Sequence, residues 1–175
     1  MLTPPPVQTT YTQYINVGQN GMIASATGWD IDTRIAEAVT TGATGIPFGI
    51  VVTQSLLTDR GAVIGALSGG VPVGITAADP TLPNVVPGFT DLYNEGDNMA
   101  VLVRGDIWVI TGDNVTAGSE VYFNSVTGQL GASGISNATA LLGARWMTSV
   151  PSDDSRLTVE TGNLAVCRII GLATF

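Results

Sequence analysis

Hydrophobic and polar positions alternate most densely between residues 99 and 123, and this stretch predicts the middle of a β-sheet. Met99, Val101, Val103, Ile107, Val109 and Thr111 alternate with Ala100, Leu102, Arg104, Asp106, Trp108 and Ile110, a period of two rich in β-branched and aromatic types. Both sets are largely apolar, so strands here are expected to be covered on both faces. Gly105 stands between two charges, where a glycine serves either a bulge or a tight turn; a hairpin joining 100–103 to 107–110 is expected. A turn cluster at 111–114 and a break at Gly118 follow, and residues 120–123 start another strand that ends at a turn over 124–128.

Residues 1–20 carry no charge, hold Pro4, Pro5 and Pro6 in a row, and read as an extended N-terminal arm. Pro5, Val7, Tyr11, Tyr14 and Ile15 would gain by packing on a partner and are the candidate interface residues. In 21–39, Ile31, Thr33, Ile35 and Val39 alternate as in a strand, while 34–39 would also fit a short helical turn; a strand is expected, because Gly42 and Gly45 follow closely and leave little length for a helix. Residues 46–54 read as one strand entered through Pro47, and 62–67 and 71–77 as two strands joined by a hairpin at Ser68, Gly69 and Gly70. Three prolines make 79–91 a long surface loop. After a Gly, Ser and Ala rich segment at 129–138, residues 140–147 resume as a strand, 150–156 form a polar loop, and 157–160 and 164–170 close the chain as a hairpin across 161–163. About ten short strands at turn spacing predict an all-β fold, a jelly-roll-like sandwich or barrel with an extended arm. The chain divides into the arm, 1–20, and a single β domain, 21–175.

Composition narrows what such a domain can do. A chain of 175 residues buries roughly 70% of its unfolded surface and needs no disulfide or metal to hold it. All six basic residues are arginine, there is no lysine or histidine, and 14 acids leave a net charge of -8. That balance repels phosphate backbones and anionic lipid, so neither nucleic acid nor membrane is an expected partner. No run of residues approaches a membrane span and no secretion signal is visible, which places synthesis in a cytoplasm. Without histidine there is no Ser-His-Asp or Cys-His arrangement, and without lysine no phosphate-loop or Schiff-base lysine. Cys167 lies in an apolar run and reads as a buried, inert thiol. Asp30 and Asp32 share a strand face and Asp153 and Asp154 are adjacent, but no calcium-loop pattern surrounds either pair. Arg104-Gly105-Asp106 spells an integrin-recognition tripeptide inside the strongest strand signal, where a hairpin corner explains it. No enzyme activity, cofactor, metal site or catalytic residue is expected.

Several motifs in succession resemble the capsid cement, or decoration, proteins of tailed bacteriophages. They are Pro47-Phe48-Gly49, Val73-Gly74-Ile75-Thr76, Tyr93 followed by Gly96-Asp97, the stretch 101–109 with Gly105 and Trp108, Gly118 before Val121-Tyr122-Phe123, Thr127-Gly128, and Gly143-Ala144-Arg145-Trp146. The order and spacing fit from about Gly21 to Ile170, leaving the arm outside. The resemblance implies a β-rich structural protein of the virion. Such a protein assembles as a homo-oligomer, dimer or trimer, on the outer capsid surface and clamps neighbouring major capsid protein subunits.

The alternative is a β-sandwich binding module on a virion, for carbohydrate or a host receptor, with Trp29, Trp108 and Trp146 as platforms; three exposed tryptophans on one face would favour it. Arginine used alone suits protein interfaces, because its planar fork pairs with carboxylates better than a hydrated ammonium does.

Overall fold

The computed structural model describes residues 18–24, 28–37, 45–65, 70–78, 92–150, 158–159 and 162–171, with backbone only for 158, 159, 162 and 163. Among these residues there are strands and turns and no helix. In chain order the strands are β1 (Asp30–Ala36), β2 (Ile46–Pro47), β3 (Val51–Gln54), β4 (Gly61–Ile64), β5 (Pro72–Thr76), β6 (Leu92–Tyr93), β7 (Asn98–Thr111), β8 (Glu120–Asn124), β9 (Leu130–Gly131), β10 (Ala138–Trp146), β11 (Thr158–Val159) and β12 (Gly162–Ile169). The fold is all-β, as the turn-punctuated alternation predicts.

The densest alternation forms one uninterrupted strand of 14 residues, β7, and not the expected hairpin. Gly105 lies mid-strand opposite Ile169 of β12, with φ +126°, and a Cβ there would come within 2.8 Å of the Trp29 Cβ. Glycine is required for this backbone conformation and this close approach, not for a chain reversal. The register also slips beside it, since Ile31 pairs with Leu102 while Asp30 pairs with Arg104. The slip changes the phase of the alternation, so Leu102 reaches the same core as Ile107 and Val109.

β7 joins two halves of the molecule. Its first half is flanked by β1 on one edge and β5 on the other, and β1-β4-β3-β5-β7 closes into a barrel-like ring through the β1–β7 pairing. Its second half continues through β12, β10, β8 and β9 as an open sheet. β1 and β12 therefore succeed each other along one edge of β7, meeting between Arg104 and Gly105.

The ring encloses Ala36, Ile46, Phe48, Val52, Tyr93, Met99 and Val101. Phe48 meets the Tyr93 ring edge-on at 5.0 Å, and the Tyr93 hydroxyl donates to Ala77 O at 2.7 Å and accepts from Ala100 N. A larger core, including Leu102, Ile107, Phe123, Trp146 and Ile169, lies between the ring and the open sheet. Cys167 is buried in it, and burial, with the charge of Asp106 second, pushes its thiol pKa well above the ordinary range, as expected of an inert cysteine.

Three other local expectations change. Residues 46–54 form two strands, because Phe48-Gly49 turns the chain with Gly49 at φ +70°. β4 and β5 do not pair with each other; both pair with β3, which lies between them. The Gly, Ser and Ala rich segment at 129–138, where no strand is expected, contains β9, paired with β8. The expected loop at 79–91 lies outside the described residues, as does that at 150–156, including Asp153 and Asp154, except for Val150, which is buried and bridges Val115 instead of entering a polar loop.

Candidate interface

The arginines place the candidate surface. Asp106, Arg168, Arg145 and Glu120 stand directly opposite one another in β7, β12, β10 and β8, a transverse row on the outer face of the open sheet. Arg168 grips Asp106 with two parallel bonds, Nε to Oδ1 at 2.7 Å and an Nη to Oδ2 at 2.8 Å. Asp106 raises the pKa of that guanidinium, first through the hydrogen bonds and second through its charge. Arg145 reaches Glu120 at 3.5 Å, and Arg104, two residues before Asp106, reaches Asp30 at 3.8 Å. The Arg145–Glu120 and Arg104–Asp30 pairs are solvent-exposed and contribute little to stability, which leaves them available for recognition, whereas the bidentate Arg168–Asp106 pair, its carboxylate largely covered, also ties β7 to β12.

Exposed apolar side chains surround the row. Trp29, 45% exposed, lies against Gly105, and Leu142 and Ile170 are exposed beside the charged residues. Two shallow hollows share Ile170: one is lined by Gly28, Arg104, Asp106 and Arg168, the other by Glu120, Leu142 and Arg145. An exposed tryptophan beside arginines has the composition of a binding hot spot. The sequence offered the clue in its exclusive use of arginine; it did not show that three of the six would converge, because their juxtaposition depends on pairing between β7 and β12, 62 residues apart at Asp106 and Arg168.

β1 contributes to the same surface. It alternates as expected, but with Ile31 and Ile35 exposed and Asp32 and Arg34 half-buried. Asp32 bonds Arg34 at 2.7 Å and Asp30 faces Arg104, so each acid has its own arginine. No group of three or more potential metal-ligating side chains occurs among the described residues. The integrin-like tripeptide is extended mid-strand and its charges are engaged with Asp30 and Arg168. The tryptophans do not form a platform: Trp146 is fully buried, Trp108 nearly so, and Trp29 alone of the three is exposed.

Pro5, Val7, Tyr11, Tyr14 and Ile15 lie outside the described residues. The chain that follows them is secured to the domain before residue 21. Gly18 abuts the Trp108 indole so closely that a Cβ would stand 2.5 Å from the ring. Asn20 accepts from Ile110 N at 3.0 Å and donates to Phe48 O at 2.6 Å, and residues 21–24 continue along β7 through Gly21 N to Trp108 O, Trp108 N to Met22 O and Ala24 N to Asp106 O.

Comparison with known families identifies the family of the chain. The family model of the phage structural cement proteins, described by E217 gp24 and Pam3 gp6, matches residues 7–170. The chain belongs to this family. The match begins within the arm, at residue 7, and so extends further than the motifs that start near Gly21. Among solved structures, a chain of the capsid of Myoviridae phage XM1 is similar, with a TM-score of 0.64 and 16% identity over 95% of this cement protein and 99% of that chain; at that identity the likeness is one of fold. A search of curated protein sequences returned no match.

Proposed function

We propose that this cement protein binds the outer surface of its phage capsid, contacts the major capsid protein, and strengthens the junction between neighbouring subunits without catalysing a reaction. It works as part of the virion. The observation that carries this reading is the outer sheet face, where three arginine–acid pairs lie beside exposed Trp29, Leu142 and Ile170, in a chain that belongs to the structural cement family over residues 7–170. The apolar groups supply buried area and the arginines direct orientation. Residues Pro5, Val7, Tyr11, Tyr14 and Ile15 add contact area to a neighbouring subunit, and the protein acts as a closed homo-oligomer, dimer or trimer.

The test mixes the purified protein with capsids of the parent phage assembled without it. Wild-type protein is expected to decorate the particles and raise the temperature at which they release DNA. Leu142→Glu with Ile170→Glu is expected to abolish decoration while leaving the melting temperature of the free protein unchanged, since both positions are exposed. Undiminished decoration by this variant would remove the outer face from the mechanism.

A further inference from the structure

The β3–β4 connection presents Leu56 and Leu57 side by side at 79% and 76% exposure, the two most exposed large apolar residues among those described. A solvent-facing loop has no folding reason to place two leucines there, and a bare hairpin connection does as well with polar residues. The base of the loop is held by side chains from outside it. The two Glu37 carboxylate oxygens accept from the Ser55 and Thr58 hydroxyls, and Ser55 Oγ in turn accepts from Leu57 N at 3.0 Å. Gln54 Nε2 donates to Thr58 O and Asp59 O at 3.1 and 3.0 Å, and its Oε1 accepts from Arg34 at 2.6 Å. This explains why β1 turns Asp32 and Arg34 inward: Asp32 fixes the guanidinium that steadies Gln54.

We propose that Leu56 and Leu57 form a preorganised knob that inserts into an apolar socket on a second major capsid subunit, distinct from the one held by the outer sheet face. The inference rests on the cement reading above, and that reading supplies the occupant: a protein that joins neighbours has to touch more than one of them. The knob is well placed for the second contact. β1 runs from Asp30, beside Arg104 on the outer face, to Ala36, whose neighbour Ile35 pairs with Gly61 at the foot of the loop; this run is roughly 20 Å at the usual strand rise. A rigid loop loses little freedom on docking, so the leucines' burial is retained as affinity. The net charge of -8 opposes the alternative of insertion into an anionic lipid surface.

The experiment compares wild-type protein with Leu56→Ser plus Leu57→Ser, and with Glu37→Gln, which keeps the leucines and loosens their base. Each is titrated onto capsids assembled without the protein, with occupancy and thermal release of DNA as readouts; sedimentation and melting of the free protein are run in parallel. Val126→Ser, also exposed but in the turn beyond the opposite end of β3, is the control. The double variant is expected to keep wild-type melting and sedimentation, to bind at least tenfold more weakly because one of two linked contacts is lost, and to give no thermal protection even at occupancies that wild-type protein reaches. Glu37→Gln is expected to fall between the two, and Val126→Ser to match wild type. Equal binding and protection by the double variant would overturn the knob while leaving the cement reading intact. A changed oligomeric state in that variant would make the loop a contact between copies and also overturn it. Failure of wild-type protein itself to bind capsids would overturn both.

Discussion

Gly105 shows how one residue can decide the course of an element. At φ +126° an L side chain is strained, and a methyl group there would collide with Trp29 Cβ at 2.8 Å. Gly105→Ala is therefore expected to destabilise the free protein by about 1–3 kcal/mol, read as a lowered urea midpoint. Cys167 makes a different prediction. Burial holds its thiol neutral well above the ordinary pKa of 9.0, so the folded chain keeps a proton that the unfolded chain releases. The stability linked to this group is fully present below that ordinary value and is lost as pH rises above it, by about 1.4 kcal/mol per pH unit. Urea unfolding of wild type and Cys167→Ala across alkaline pH should show this decline in wild type and a shallower one in the variant; parallel curves would mean the thiol is not sealed in the core. Alanine is the right replacement because serine at this fully buried position would add a hydroxyl to apolar surroundings.

At the scale of elements, period-two alternation located β1 and β7, which are long enough for the pattern to repeat, while β10 and β12 were visible as runs of β residues between turns. Two-residue β2, β6 and β9 hold too few positions to carry a period, and their pairing is set by partners distant in sequence, as when Ile46 meets Tyr93. The glycine at 105 was visible but its role was not: a bulge beside a mid-strand glycine and a hairpin corner share the same residue type, and only the pairing with both β1 and β12 separates them. The arm raises a similar question of boundaries. Gly18 and Asn20 are held on β7 and Phe48, so a chain starting at Gly21 removes two hydrogen bonds of Asn20 and the cover over Trp108. Deleting 1–17 is expected to leave melting of the free protein within a degree or two while loosening assembly and retention on capsids. Deleting 1–20 is expected to lower melting as well, by an amount equivalent to about 1–3 kcal/mol. If the shorter deletion assembles and holds as tightly as the full chain, residues Pro5 to Ile15 are no interface.

For the whole molecule, the broad class was legible because composition excludes chemistry that needs lysine or histidine, and because glycine turns between β residues recur in the order shared by the cement family. The surface was not, since Arg104, Arg145 and Arg168 are brought together by strand order, and Leu56 and Leu57 gain meaning only from the side chains that brace their loop. Charge also governs how copies meet. Each chain carries -8, so two copies repel at long range, and that repulsion is screened as salt shortens the Debye length from about 30 Å at 0.01 M to about 8 Å at 0.15 M. An oligomer held by apolar arms and surfaces should therefore tighten as salt rises, whereas one held by exposed arginine–acid pairs such as Arg145–Glu120 should loosen. Sedimentation of the free protein at micromolar concentration is expected to show a closed dimer or trimer whose dissociation constant falls with added salt, because a closed assembly covers its apolar surfaces without growing into filaments. A monomer of 18.0 kDa at every salt concentration would show that self-assembly does not precede capsid binding, and an oligomer that dissociates as salt rises would transfer the contact from the arm to the charged row.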